Sequence, residues 1–442
     1  GTDSAPVQSA SNLAELIEAG DEVFLSPALS ALTSVQLDAI TLDYRDLQLG
    51  RSWILDGGHI QLTRNDDDMR LATGFSVLSG RDFVSQIEAN YTSMLGTPEA
   101  RFGVTITDLP AEDIYGQSPA LVWLQVFKTP ISGAMRGSVD DSGAFGPIFA
   151  TLNLGAGALQ PNPETRPIPF ESASPYSTYD PIRQELDFNE VSIDSAWGSV
   201  QATGKVYLEG VENGTLDSLD GQWSLTGINV NPANLFPEPL NLTRADLDVQ
   251  MKFDPFRLRV GQMTIEDGDH RVRASGLLVG LADGWSADLD AHLDQMTSDR
   301  VLNYWPERLA PKPREWVTKN LSKGALSDMD FALRLRPGSK PDIYLDFGFE
   351  DATVRFAKTL PPVEGAQGQA SLIDDRFTAT AQQGVVMADQ GGAVDASGTS
   401  FIIPDTEIKK SAPGIARISA KGSVTAALSL LDRPPLSLLS KA

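Results

Sequence analysis

The chain has 442 residues, 35 basic and 59 acidic, for a net charge of −24. That balance argues against nucleic-acid binding, which needs a basic face for phosphate, and against adhesion of the whole surface to anionic lipid. Cysteine is absent, so disulfides, thiol nucleophiles and cysteine-ligated metals are excluded.

Apolar residues make up 41% and charged residues 21%, which predicts an ordered chain with much apolar surface to bury. The length suits a few ordinary domains or one long repetitive one. No apolar run reaches the ~18 residues that a spanning helix needs. The chain opens GTDSAP without a methionine, so a trimmed chain is expected, with any anchor or targeting segment outside it.

In chain order, the expected parts are an N-terminal β-repeat portion (1–160), a connector (161–180), a central β-repeat portion (181–297), a helical insert (298–324) and a C-terminal β-repeat portion (325–442). A first short helix is predicted from Ser11 through Glu15, closed by Gly20. A second follows Ser118 and Pro119, carries Leu121 to Phe127 and stops at Pro130. The Pro- and Ser-rich stretch QPNPETRPIPFESASPYSTYD (160–180) reads as a loop or an extended connector between two sheet portions.

Beyond it, apolar and polar residues alternate with the period of half-buried strands. One apolar set is Leu247, Val249, Met251 and Phe253; the next is Phe256, Leu258 and Val260. Trp285, Leu289 and Leu293 follow, then Phe331, Leu333 and Leu335, then Ile343, Leu345, Phe347 and Phe349. Trp223 and Leu225 lie on an earlier run. An oily and a wet face on each strand is the antiparallel signature. Turn signals recur between runs: Asp56-Gly57-Gly58, Asn65-Asp66-Asp67-Asp68, Glu266-Asp267-Gly268-Asp269, Ala282-Asp283-Gly284 and Pro337-Gly338. Small-residue steps such as Ala202-Thr203-Gly204 and Ala274-Ser275-Gly276 also repeat.

The stretch YWPERLAPKPREWVTKNLSKG (Tyr304 to Gly324) interrupts this pattern. A turn from Ser298 or Asp299 through Leu302 is stopped by Pro306. A second starts near Pro313, carries Trp316, Val317 and Leu321 on one face and ends at Gly324. Arg308, Lys312, Arg314, Lys319 and Lys323 form a basic patch, read either as a phosphate or partner contact or as the solvated side of the helix.

Chemistry-bearing motifs are missing. His59, His270 and His292 lie far apart in strand or turn contexts. No nucleophile elbow, phosphate loop, dinucleotide fingerprint or zinc-protease signature occurs. The acidic clusters at 66–68 and 266–269 read as solvated turns rather than calcium loops. No enzyme, catalytic residue, metal or cofactor is expected.

A long antiparallel sheet with few helices hides its oily face in a sandwich or a barrel, or leaves it as an open trough that something apolar fills. Alternation alone keeps these open. Three stretches carry a resemblance that favours the trough. They are Asp43-Tyr44-Arg45-Asp46 with Trp53 and Gly58 to Leu62, Leu152 (LNLGAGALQPNP) through Tyr179-Asp180, and Leu302-Asn303-Tyr304-Trp305-Pro306 with Arg314-Glu315-Trp316-Val317 and Asn320-Leu321 to Gly324. The chain resembles the AsmA-like superfamily of bacterial envelope proteins, in its YhdP/TamB branch.

That resemblance implies a mainly β fold, a long curved antiparallel repetitive sheet forming an apolar groove with a few short helices. It implies a periplasmic protein tethered to the inner membrane by an N-terminal anchor, other envelope proteins at its ends, and no nucleic acid. The implied role is carriage of phospholipid between inner and outer membranes, supporting outer-membrane integrity. Acyl chains would contact Trp223, Leu225, Leu247, Val249, Met251, Phe253, Phe256, Leu258, Val260, Trp285, Leu289, Phe331, Leu333, Leu335, Leu345 and Phe347. Tyr304, Trp305, Pro306, Arg314 and Trp316 would form an aromatic insert that narrows the groove or caps one end of a sandwich. The alternative is a non-enzymatic envelope assembly scaffold with closed β-sandwich packing and a partner-binding edge.

Overall fold

Period-two alternation needs an in-register neighbour on each side, and short turns make the next strand that neighbour. The computed structural model describes residues 21–22, 24–46, 51–78, 84–117, 119–211, 216–236, 238–308, 310–408, 413–434 and 437–438. The predicted helix at 11–20 lies outside them.

The first strands are β1 (Ser34–Asp46), β2 (Arg51–Asn65), β3 (Asp68–Leu78), β4 (Ser85–Met94) and β5 (Ala100–Pro110). Then come β6 (Phe127–Lys128), β7 (Pro130–Val139), β8 (Ile148–Leu154), β9 (Gly157–Leu159), β10 (Ile168–Phe170), β11 (Ser172–Asp180), β12 (Glu185–Ser195) and β13 (Gly198–Glu209). The middle holds β14 (Ser218–Val230), β15 (Leu240–Phe253), β16 (Phe256–Asp267), β17 (His270–Leu281) and β18 (Gly284–Thr297). The last are β19 (Leu321–Leu335), β20 (Asp342–Val354), β21 (Val363–Ile373), β22 (Arg376–Met387), β23 (Ala393–Asp395), β24 (Ser400–Ile403) and β25 (Ile415–Arg417). The helices are α1 (Ala111–Ile114), α2 (Ser298–Tyr304), α3 (Pro311–Asn320) and α4 (Val424–Leu431), with a 3-10 helix at Pro119–Val126.

Twenty-two strands form one antiparallel sheet, and β6, β9 and β10 form a small second one. β1 is registered only with β2, and β25 only with β24, so the registered pairings among the described residues do not close into a ring. The mainly β, antiparallel expectation is therefore met.

The chain divides into two units. Unit 1 is Gly1–Thr226, Leu247–Leu258 and Gly280–Gly284; unit 2 is Gly227–Asp246, Arg259–Val279 and Trp285–Ala442. Strands β14 to β18 contribute residues to both.

Unit 1 has a packed interior. Leu124 and Ile131, both 0% exposed, pack with Ile106, Leu109, Leu152 and Leu154. A second cluster joins Leu186, Phe188, Val191, Val206, Leu208 and Leu219. Two smaller ones lie around Val139 and around Leu62 and Met69. In unit 2, among the described residues, no such cluster forms, and most of its buried apolar positions are alanines such as Ala352, Ala366 and Ala370.

The structure corrects several local expectations. Asp56-Gly57-Gly58 is no turn; it lies inside β2. Gly57 takes φ +62°, and the register against β3 slips between Asp56 and His59, so the glycine supports a bulge. The 160–180 connector holds β10 and β11. There Pro175 opposes Val191 on β12, while the β8 register passes from Ala173 to Tyr176, sparing the residue that has no N–H to donate. Residues Pro119–Val126 wind as a 3-10 helix rather than an α-helix. The turns at 65–68 and 266–269 fall where alternation put them, and Asp66 takes φ +54° between β2 and β3.

Candidate functional site

In an antiparallel pair, directly opposed residues share a face. Leu289 on β18 opposes Leu333 on β19, which opposes Ile343 on β20. The next row runs Ala291, Phe331, Leu345, Leu372, Phe377 and Ile403 across β18 to β22 and on to β24. A third runs Phe347, Ala370, Ala379 and Phe401. Leu335 extends the face beside Ala287, and Trp285 joins it by alternation. One face of unit 2 is thus apolar over six strands. Phe331, Leu333, Leu345 and Phe347 on it are only half-buried, and Phe401 is 40% exposed.

The other face is ionic. Arg334 pairs with Asp290 at 2.6 Å, Arg336 with Asp288 at 2.7 Å, and Arg273 with Asp294 at 2.6 Å. His292 Nδ1 lies 2.7 Å from Asp330 and its Nε2 3.2 Å from Asp294. These exposed pairs are each worth little, but they mark the wet side of the sheet and leave the opposite side as the one that seeks an apolar partner.

His292 makes the wet face sensitive to pH. The hydrogen bond to Asp330 raises its pKa above the ordinary 6.5, with Asp294 adding to it and Arg273 opposing. A raised folded pKa gives a stabilisation that is complete below about pH 6.5 and lost as pH rises through the folded value. Melting temperature should therefore fall on going from pH 6 to above the folded pKa, and a His292→Asn variant should lose that slope. An imidazole NMR titration at or below the free-histidine value would contradict this.

A glycine–aromatic device recurs in both units. A Cβ on Gly204 would lie 2.5 Å from the Trp223 ring, one on Gly137 2.6 Å from Phe102, and one on Gly368 2.7 Å from Phe349. Each glycine lets a neighbouring ring lie down over the backbone. The small-residue step Ala202-Thr203-Gly204 thus makes room for Trp223.

The sequence-derived lining residues divide. Leu289, Phe331, Leu333, Leu335, Leu345 and Phe347 come together as half-buried side chains on the apolar face of unit 2. Trp223, Leu225, Met251 and Phe253 instead pack against the Leu186–Phe188 cluster of unit 1, beside Trp123. Phe256 is 2% exposed. Leu247, Val249 and Leu258 in unit 1, and Val260 and Trp285 in unit 2, are half-buried strand positions. Leu372, Phe377, Phe401 and Ile403 were missed, although Phe377, Ala379 and Ala381 alternate with Thr378 and Thr380.

The aromatic insert differs from its expected packing. α3 buries none of its residues, and Trp316 is 49% exposed. Trp316 and Val317 are adjacent, so on a helix they cannot share a face. Leu321 already belongs to β19, and Gly324 lies inside that strand at φ +151°. Arg314 holds the insert together: its Nε donates to the Trp305 carbonyl at 2.9 Å and its Nη2 to the Leu302 carbonyl at 3.1 Å. It thereby satisfies carbonyls at the end of α2, which Pro306 cuts short. Of the basic patch, Arg314 is thus engaged, Lys319 pairs with Glu315, and Lys323 with Asp351. Arg314→Ala should cost about 1–3 kcal/mol locally, read as faster amide exchange across 298–320 with β20 unchanged. Equal protection in both proteins would refute the clasp.

No described helix is long and apolar enough to cross a membrane. No curated protein matches the chain, and no solved structure matches it. The family model described as YhdP protein matches residues 152–439, from β8 past α4, well over half of the chain. It includes the apolar face of unit 2 and the Tyr304–Gly324 stretch; Asp43 to Trp53 lies outside it. The chain therefore belongs to the YhdP family, bacterial envelope proteins of the AsmA-like type.

Proposed function

We propose that this chain is a segment of a periplasmic lipid-transfer protein, with acyl chains lying on the apolar face of β18 to β22 and β24 in unit 2. The observation that carries the reading is the half-buried row Phe331–Leu345–Leu372–Phe377 on a sheet whose other face is ionic. Water on such a face costs about 25 cal/mol per Å² of apolar area, and an acyl chain removes that cost without needing hydrogen bonds. Headgroups would stay in water, so no bond chemistry is required, and the protein works as a carrier rather than an enzyme. Passage between inner and outer membranes, tethering to the inner membrane, and envelope partners complete the reading.

The test is native mass spectrometry of the purified chain, with lipid extraction of the same sample. Phospholipid at one or more per chain supports the reading. A folded, monodisperse and lipid-free protein would sink it and favour an assembly scaffold, the reading that the filled interior of unit 1 supports for that unit alone.

A further inference from the structure

Between β5 and β7 the chain makes an excursion that the sheet does not need. Pro110 and Pro130 already face one another in the β5–β7 register. The Ala111 N–H donates to the Thr129 carbonyl at 2.9 Å, and the Thr129 hydroxyl donates to the Gly155 carbonyl at 2.6 Å. Both feet of the excursion thus stand at one point, and the β5–β7 ladder runs beneath it with a single register shift between Ile106 and Leu109.

From there the segment lies on the apolar face of unit 1. Leu124 fills the space between Ile106, Leu109, Ile131 and Leu152. Trp123 meets Phe188 edge-on at 6.1 Å and Phe127 at 5.9 Å, and Phe188 lies 5.0 Å from Trp223. The contact is made by side-chain shape on short helical turns, with a 3-10 helix carrying Trp123 and Leu124. The strands below alternate like those of unit 2, whose apolar face no comparable excursion fills among the described residues.

We propose that residues 111–117 and 119–129 are a built-in plug: their side chains occupy the place on unit 1's apolar face that acyl chains would otherwise take. The proposal rests on the acyl-chain reading of unit 2. A void lined by leucine and phenylalanine stays dry and accepts apolar guests, so withdrawing the plug should open a second lipid site around Phe188 and Val206.

The probe is a phosphatidylethanolamine with a photoreactive diazirine in one acyl chain, its label mapped by peptide mass spectrometry. Two variants are used: Trp123→Ala, and one with residues 112–128 replaced by a short Gly-Ser turn. The wild-type protein should label β19 and β20 but not β12 and β13. Each folded variant should gain label on β12 and β13, with bound lipid rising roughly twofold. Label on β12 and β13 in the wild-type protein overturns the plug, as does a folded variant that gains none. If both variants unfold, the segment is core and the proposal falls. Label gained on β12 and β13 with none on β19 and β20 supports the plug while removing the reading of unit 2.

Discussion

Changing Phe331 and Leu345 together to aspartate is expected to strip the protein of bound phospholipid while leaving it folded. The two side chains face one another across β19 and β20 and are half-buried. Each contributes about 1.5–3 kcal/mol when fully covered by an apolar partner, so losing both should weaken lipid retention at least ~100-fold. Folding should suffer far less, because among the described residues these half-buried side chains join no buried cluster, and a carboxylate there can reach water. Aspartate is a poor strand former, which adds up to ~1 kcal/mol per site. Tyr344→Asp is the control: Tyr344 neighbours Leu345 on the same strand but points to the other face and is 38% exposed. Lipid retained by the double variant, or lost equally from the control, would end the case for this face.

Leu124→Ala should show the opposite profile in unit 1. Leu124 is 0% exposed and packs among Ile106, Leu109, Ile131, Leu152 and Leu154. Truncating such a leucine leaves a cavity and costs about 2–5 kcal/mol. Phe331→Ala removes a larger side chain but should cost under ~2 kcal/mol, since no enclosed cavity forms. Urea denaturation followed by Trp fluorescence and by amide exchange in unit 1 would compare the two. A Leu124→Ala cost no larger than that of Phe331→Ala would mean that Leu124 does not fill an enclosed space in unit 1.

These two expectations separate what alternation reveals from what it hides. Strand positions, the antiparallel habit and the turns at 65–68, 266–269 and 337–338 were legible, because side-chain period and turn chemistry are local properties. So was the apolar row on β18 to β20, whose members alternate without interruption. The row's extension onto β22 and β24 was harder to see: alanines dilute the first, and the second is four residues long. The Asp56-Gly57-Gly58 bulge misled because a glycine needed for a positive φ looks the same in a bulge as in a turn. In the aromatic insert the content was visible but not its use, since whether Trp316 is covered depends on what packs nearby.

By itself the sequence determined that this is an antiparallel sheet with one oily and one wet face, and that it carries the stretches of an AsmA-like envelope protein. Only the tertiary structure decided where the oily face is filled by a packed cluster and where its large side chains stay half-buried. Trp223, Met251 and Phe331 sit in equivalent alternating runs, yet the first two pack against unit 1's filled interior and the last does not. The physical reason is that alternation specifies which side of a strand avoids water. What covers that side is set by distant segments such as Ala111–Thr129, and no local period records them.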